Sequence, residues 1–195
     1  MTEGPLILAV ETSSRIGSVA IAAAGEMLAE TVFSGSLRHS AEIFPAIGDL
    51  LDRFGRKPDQ IGHVYISAGP GSFTGLRIAA TLAKAMHLAN FAEVVAVDTL
   101  DVIASNAVSL VARDACSVSA PEPDVTSFEK VAAVLDAKRG QFFIAVYSRR
   151  TARRGQPAAD GIWTKVVPDS LMTAPQFLAR FAGGEEPLWL LGESG

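Results

Sequence analysis

A chain of 195 residues, 49% hydrophobic and 19% charged, carries enough apolar material for one large domain or two small lobes without staples. Its single cysteine, Cys116, excludes a disulfide framework and a cysteine metal cluster, and a net charge of −4 speaks against autonomous nucleic-acid binding, which normally needs a basic face. Met1 to Pro5 has no basic leader region, Leu6–Val10 is too short for a signal core, and no apolar run approaches the length of a membrane span, so the cytoplasm is the expected compartment.

Leu6–Thr12 is a short apolar run and reads as a buried strand. Ser13–Arg15 forms a tight turn, Ser18–Ala24 a second strand, and Met27–Phe33 a third after the Gly25-Glu26 turn. Links this short permit only an antiparallel meander. Across Leu37–Phe54 the period changes: Ile43, Phe44, Ile47, Leu50, Leu51 and Phe54 share one helical stripe, and Gly55 stops the helix. Val64–Ser67 is a fourth strand, Pro70–Gly75 a glycine-rich corner, Phe73–Asn90 a second helix and Val94–Val97 a fifth strand. A meander followed by parallel β/α units is the ribonuclease-H-like layout, one lobe of the actin, Hsp70 and sugar-kinase (ASKHA) architecture in the α/β class. The second half is less regular. Leu100–Val111 reads as a helix, Ala115–Asp124 as a loop, and Val131–Leu135 with Gln141–Tyr147 as a hairpin around Asp136–Gly140. Thr151–Gly161 is a polar connector, Ile162–Val167 a strand, Pro175–Phe181 a helix and Leu188–Leu191 a last strand. The expected lobes are residues 1–98 and 99–195.

Two segments have the composition of a ligand site. Val10-Glu11-Thr12-Ser13-Ser14 closes the first strand with a carboxylate and three hydroxyls, which serve either a phosphate and its Mg²⁺ or a simple polar turn. Ser67-Ala68-Gly69-Pro70-Gly71-Ser72-Phe73-Thr74-Gly75-Leu76-Arg77 joins a strand to a helix N-terminus, where glycines and the helix end favour anions. The same run is equally a tight corner capped by Ser72, and no Gly-Lys-Ser/Thr follows to make it a Walker A loop. An anion or nucleotide cradle would draw on Thr12, Ser13, Gly69, Gly71 and Ser72.

The second helix carries only Arg77, Lys84 and His87 among charged or titratable side chains, and a helix apolar all round wants cover on both sides. Its alanines, Ala79, Ala80 and Ala83, invite close approach by another helix. The expected partner surface therefore joins His39, Ile43, Ile47 and Leu50 of the first helix to Phe73, Leu76, Arg77, Ala80, Ala83 and Lys84 of the second. Cover by the second lobe is the alternative. A two-metal nuclease would need carboxylates on the first strand, the first helix and the fourth strand. Glu11 and Glu42 supply two, but the fourth strand ends Ile66-Ser67-Ala68, and His39, His63 and His87 are scattered, so no metal site or catalytic triad assembles. Lys138, Arg139, Arg149, Arg150, Arg153 and Arg154 run without an acid among them, either as a solvated segment or as an RNA-phosphate contact inside a complex.

Leu8-Ala9-Val10-Glu11-Thr12-Ser13-Ser14, Arg38-His39-Ser40, the Ser67–Arg77 run, Val95-Ala96-Val97-Asp98-Thr99-Leu100 and Leu135-Asp136-Ala137-Lys138-Arg139-Gly140 together resemble the TsaB (YeaZ) family. The resemblance implies a non-catalytic subunit of the tRNA threonylcarbamoyladenosine machinery, acting at the adenosine next to the anticodon. It implies a TsaD-type catalytic paralogue and a TsaE-type P-loop ATPase as partners, a homodimer when alone, contact with tRNA only through the complex, and no cofactor of its own. The catalytic paralogue binds metal through His-x-x-x-His at the start of this helix; here His39 is followed by Ile43, and one imidazole cannot hold a metal alone. Two positions depart from the family pattern. Glu11 stands where Asp is more usual, and the chain reaches Gly192-Glu193-Ser194-Gly195 where relatives continue with a last helix. The competing readings are an ATP-dependent kinase or ATPase of the same architecture, which would need more than Gly183-Gly184 and Gly192 in the second lobe, and a protease, which lacks a nucleophile–base pair.

Overall fold

In a computed structural model the structure describes residues 4–35, 38–114, 129–149, 163–184 and 187–192. Cys116, Arg150, Arg153 and Arg154, and the expected Ala115–Asp124 loop and Thr151–Gly161 connector, lie outside the described residues. The chain divides into two compact units, Met1–Thr99 and Leu100–Gly195.

In the first unit β1 (Leu6–Glu11), β2 (Ser18–Ala23) and β3 (Glu26–Val32) form the meander, and β4 (Ile61–Gly69) and β5 (Glu93–Asp98) add in parallel. The sheet order is β3-β2-β1-β4-β5. Alternation along β1 and β2 sends Leu6, Leu8, Val10, Val19, Ile21 and Ala23 into one core, with Leu8 opposite Ile21 and beside Val64. Two helices cover that face: α1 (His39–Arg53) follows the meander, and α2 (Phe73–Asn90) follows β4. The hydroxyl of Ser72 caps α2 by accepting from the N–H of Gly75 at 3.3 Å. Its C-terminus closes on Phe91 at φ 56°, a left-handed position where glycine is usual.

In the second unit α3 (Thr99–Asp114) packs Leu100 and Ala104 against Ala133, Leu135, Ala145 and Tyr147. The sheet there consists of β6 (Lys130–Lys138), β7 (Gln141–Arg149), β8 (Trp163–Thr173) and β9 (Trp189–Gly192), in the order β8-β7-β6-β9. On its other face α4 (Ala174–Phe181) sets Phe177 and Phe181 on Ala132, Ile144 and Val146. Several elements outrun the periodic reading, among them β4, which runs from Ile61 to Gly69 where Val64–Ser67 was expected. The helix expected at Leu100–Val111 begins at Thr99 and ends at Asp114, and the strand expected to stop at Val167 continues to Thr173. Pro168 is tolerated within β8 because it is the outer strand of its sheet, where a missing donor costs no ladder bond.

Candidate functional site

The β1–β2 turn and the glycine-rich corner form one stitched junction. The Glu11 carboxylate accepts from the Ser13 N–H at 2.5 Å and the Ser13 hydroxyl at 2.6 Å through Oε1, and from the Ser67 hydroxyl through Oε2. The Thr12 hydroxyl donates to the Gly75 carbonyl at 2.8 Å, and the Ser72 N–H donates to the Ser13 carbonyl at 2.6 Å. A β-carbon on Gly71 would sit 2.5 Å from the Ser13 carbonyl oxygen, and one on Gly75 would run into the Thr12 carbonyl. These two glycines are thus required by close approach of backbone to backbone. Gly69, at φ +113°, supplies the one left-handed turn of the corner.

The residues expected of an anion cradle are engaged with one another here. Thr12 and Ser13 are buried, their polar groups face the corner, and the space above Gly71 and Gly75 is filled by the Thr12 and Ser13 backbone. A phosphate in that place would have to displace the chain's own carbonyls. Ser72 serves as a helix cap and as the donor to Ser13.

His39 is buried at the start of α1, where its Nε2 lies 3.0 Å from the Ser14 carbonyl. A carbonyl only accepts, so Nε2 carries the proton. The ring packs at 5.7 Å from Phe33, and Gly17 leaves room for its other nitrogen. Nearby, the Ser34 hydroxyl and N–H donate to Glu42 at 2.6 and 2.7 Å. Those bonds first, and the Arg38 guanidinium second, hold the Glu42 carboxyl below the usual carboxylate range. Among the described residues no three histidines, cysteines or acids gather as a metal site.

The residues of the expected partner surface divide between inside and outside. Ile47, Leu50 and Ala83 are buried in the lobe's own core, together with Ala79 and His39, and Ile43 is buried at the floor of the groove between the two helices, whereas Phe73, Arg77 and Lys84 are exposed. Of the apolar stripe on α1, Ile43, Ile47, Leu50 and Leu51 turn inward, and Phe44 and Phe54 do not. What remains outside is a second ridge: Phe44 of α1, 65% exposed, and Phe73, Arg77, Thr81, Lys84 and Leu88 along α2, with Phe73 at 73% and Leu88 at 80%. Leu76 and Ala80 are half-buried between the two faces. At about 100° per residue these α2 positions fall within one quarter of the helix. Between α1 and α2 runs an open groove of about 390 Å³, lined by Ser40, Ile43, Phe44, Thr74, Arg77, Ile78, Thr81, Leu82 and Ala85. The Arg77 guanidinium lies 5.4 Å from the Phe73 ring, which leaves both exposed at the mouth.

In the second unit the Tyr147 hydroxyl donates to Asp101 at 2.6 Å, and the Lys165 ammonium reaches the same oxygen at 2.9 Å and Asp169 at 2.7 Å. Burial, then the Asp101 carboxylate, pushes the Tyr147 phenol upward. This network joins α3 to β7 and β8, and nothing in sequence spacing announces it. Of the basic run, Lys138 is neutralised by Asp136 at 2.8 Å, and Arg139 stands exposed at the hairpin tip.

Comparison with known proteins places this architecture. The family described as TsaD, tRNA N6-adenosine threonylcarbamoyltransferase, matches residues 26–162. The chain belongs to this threonylcarbamoyltransferase family. Within it, the resemblance to TsaB (YeaZ) holds along nearly the whole sequence. The tRNA threonylcarbamoyladenosine biosynthesis protein TsaB of Bacillus subtilis (strain 168) is 26% identical over 95% of this chain and 70% of its own length. The TsaB protein of Escherichia coli (strain K12) is 28% identical over 73% of this chain and 55% of its own length. YeaZ from Pseudomonas aeruginosa superimposes with a TM-score of 0.65 at 24% identity, covering 87% of this chain and 67% of that one, so it shares the fold. The chain thus spans between about half and 70% of the length of these curated relatives. No helix among the described residues is long and apolar enough to cross a membrane.

Proposed function

We propose that this TsaB-type chain is a non-catalytic subunit of the machinery that makes threonylcarbamoyladenosine in tRNA, and that it pairs with a TsaD-type chain through the groove between α1 and α2. The observation that carries the reading is a contrast within the first lobe. The polar groups at the β1–β2 turn are engaged in structure: Glu11 with Ser13 and Ser67, Thr12 with Gly75, and Nε2 of His39 with Ser14. The position where a second metal-binding histidine would stand is Ile43, buried in the core. The outer face of the same two helices exposes Phe44, Phe73 and Leu88, with Phe44 and Arg77 lining the groove and Lys84 exposed further along α2. Large exposed apolar groups with a polar rim mark a protein partner. In the absence of the TsaD-type chain a second copy covers the same face about a two-fold axis. The TsaE-type ATPase and tRNA join through the assembled complex.

The test pairs two measurements. Phe44→Glu and Thr81→Glu should keep the fold and abolish capture of a recombinant TsaD-type chain, with light scattering following self-association. The isolated chain should neither hydrolyse ATP nor transfer threonylcarbamoyl. Turnover by the chain alone that disappears in Glu11→Ala or His39→Ala would overturn the non-catalytic reading, and unchanged capture by both charged variants would move the partner surface elsewhere.

A further inference from the structure

The β1–β2 turn is tied to more elements than a strand connection requires. The Ser14 carbonyl accepts from His39, the first residue of α1. The Ser13 carbonyl accepts from Ser72, the cap of α2, and Thr12 donates to Gly75 in the first turn of α2. Both helix N-termini therefore hang on three consecutive residues. Those residues are in turn held by Glu11, whose two oxygens take different partners: Oε1 takes Ser13, and Oε2 takes Ser67 on β4, 56 residues away.

We propose that Glu11 is a positioning residue for the partner-binding groove, setting the separation of α1 and α2 by clamping Ser13 to Ser67. This rests on the reading of the groove as the partner surface. The register places Val10 beside Ile66, so the next residues, Glu11 and Ser67, meet at the same end of neighbouring parallel strands. One oxygen must reach along the chain to Ser13 while the other reaches across to Ser67. An aspartate would draw both oxygens back by about 1.5 Å, the length of one carbon–carbon bond. That distance breaks a hydrogen bond. Ser67 is buried, so its hydroxyl would lose its acceptor away from solvent. Ser67 leads within five residues to the Ser72 cap, and hence to Thr74 and Arg77 in the groove. Ser13 leads through Ser14 and His39 to Ser40 and Phe44 on the opposite wall. The length of the glutamate is what lets one side chain span both contacts.

The experiment compares Glu11→Asp, Glu11→Gln and Phe44→Glu of the full chain, with affinity for a recombinant TsaD-type chain measured by calorimetry and backbone amide resonances recorded on the free protein. Glu11→Asp, which keeps the charge and loses the reach, should weaken binding about tenfold, the effect of one lost charge-assisted hydrogen bond. It should also shift the amides of Ser40–Phe44 and Thr74–Thr81 and leave those of β6–β9 in place. Glu11→Gln keeps the reach, its amide donating to the Ser67 oxygen, and should bind near wild type. Unshifted helix amides with wild-type affinity in Glu11→Asp would overturn the positioning role, as would a loss in Glu11→Gln equal to that in Glu11→Asp. Phe44→Glu separates the two levels. If it leaves affinity intact, the groove reading itself fails; if it abolishes binding while Glu11→Asp does nothing, only the role of Glu11 fails.

Discussion

The two lobes repeat one topology and use it differently. Both sheets run in the same order through four strands, β3-β2-β1-β4 and β8-β7-β6-β9, with an antiparallel hairpin at the centre and the fourth strand parallel to the first. Each first strand carries an acid at or near its end whose carboxylate accepts the N–H two residues on: Glu11 from Ser13 at 2.5 Å, Asp136 from Lys138 at 2.7 Å. There the likeness stops. The second oxygen of Glu11 reaches another strand, whereas that of Asp136 is taken at 2.8 Å by the ammonium of the same Lys138. The first turn is buried under the corner that starts α2, and the second is an exposed hairpin tip. The same local chemistry is a tertiary junction in one lobe and a self-contained turn in the other, and its importance follows from what is packed on it.

The comparison breaks most visibly at the glycines. Gly75→Val should cost about 3 kcal/mol or more, because the new β-carbon meets backbone that cannot rotate away. Gly140→Ala, at φ 72° in the second turn with open space around it, should cost about 1 kcal/mol from the left-handed conformation alone. Chemical denaturation of both variants measures the difference, and equal costs would mean that the first junction is no tighter than the second.

A middle-sized effect is expected inside the second lobe. Tyr147→Phe should cost about 1.5 kcal/mol by removing the hydrogen bond to the Asp101 carboxylate. The pH dependence has a definite sign. The folded phenol sits above its ordinary value, so its contribution is complete below about pH 10 and fades as pH rises through the folded value. Thermal melts of wild type between neutral and strongly alkaline pH should fall where those of Tyr147→Phe stay flatter.

The smallest effect should come from the acid at the second turn. Asp136→Asn touches an exposed pair, and the melting temperature should hardly move, whereas Glu11→Ala should lower it clearly. The Asp136 carboxyl is held below the usual range by the Lys138 hydrogen bonds, so what it does contribute is present above that range and lost as pH falls. A drop for Asp136→Asn as large as that for Glu11→Ala would give the two turns equal weight.

Much of this molecule is decided locally and was readable as such. Period-two alternation over Leu6–Glu11 and Ser18–Ala23, short turns between them, and a period near 3.6 over Phe73–Asn90 depend only on neighbours in the chain. The Ser67–Arg77 run carries the family resemblance within one short stretch of sequence. Periodicity shows that α1 has an apolar stripe, but it does not say what the stripe meets. Because apolar residues lie all round α2 and also at Phe44, two opposite faces competed for the inside, and only the position of the sheet put Ile43, Ile47, Leu50 and Ala83 in and left Phe44, Phe73 and Leu88 out. The same holds for the turn. Glycines, serines and a carboxylate describe an anion cradle and a tight corner equally well. The hydrogen bonds that build the corner join residues 56 and 63 positions apart, Ser67 with Glu11 and Thr12 with Gly75. Contacts at that separation come from the path of the whole chain, and no window of local sequence contains both partners.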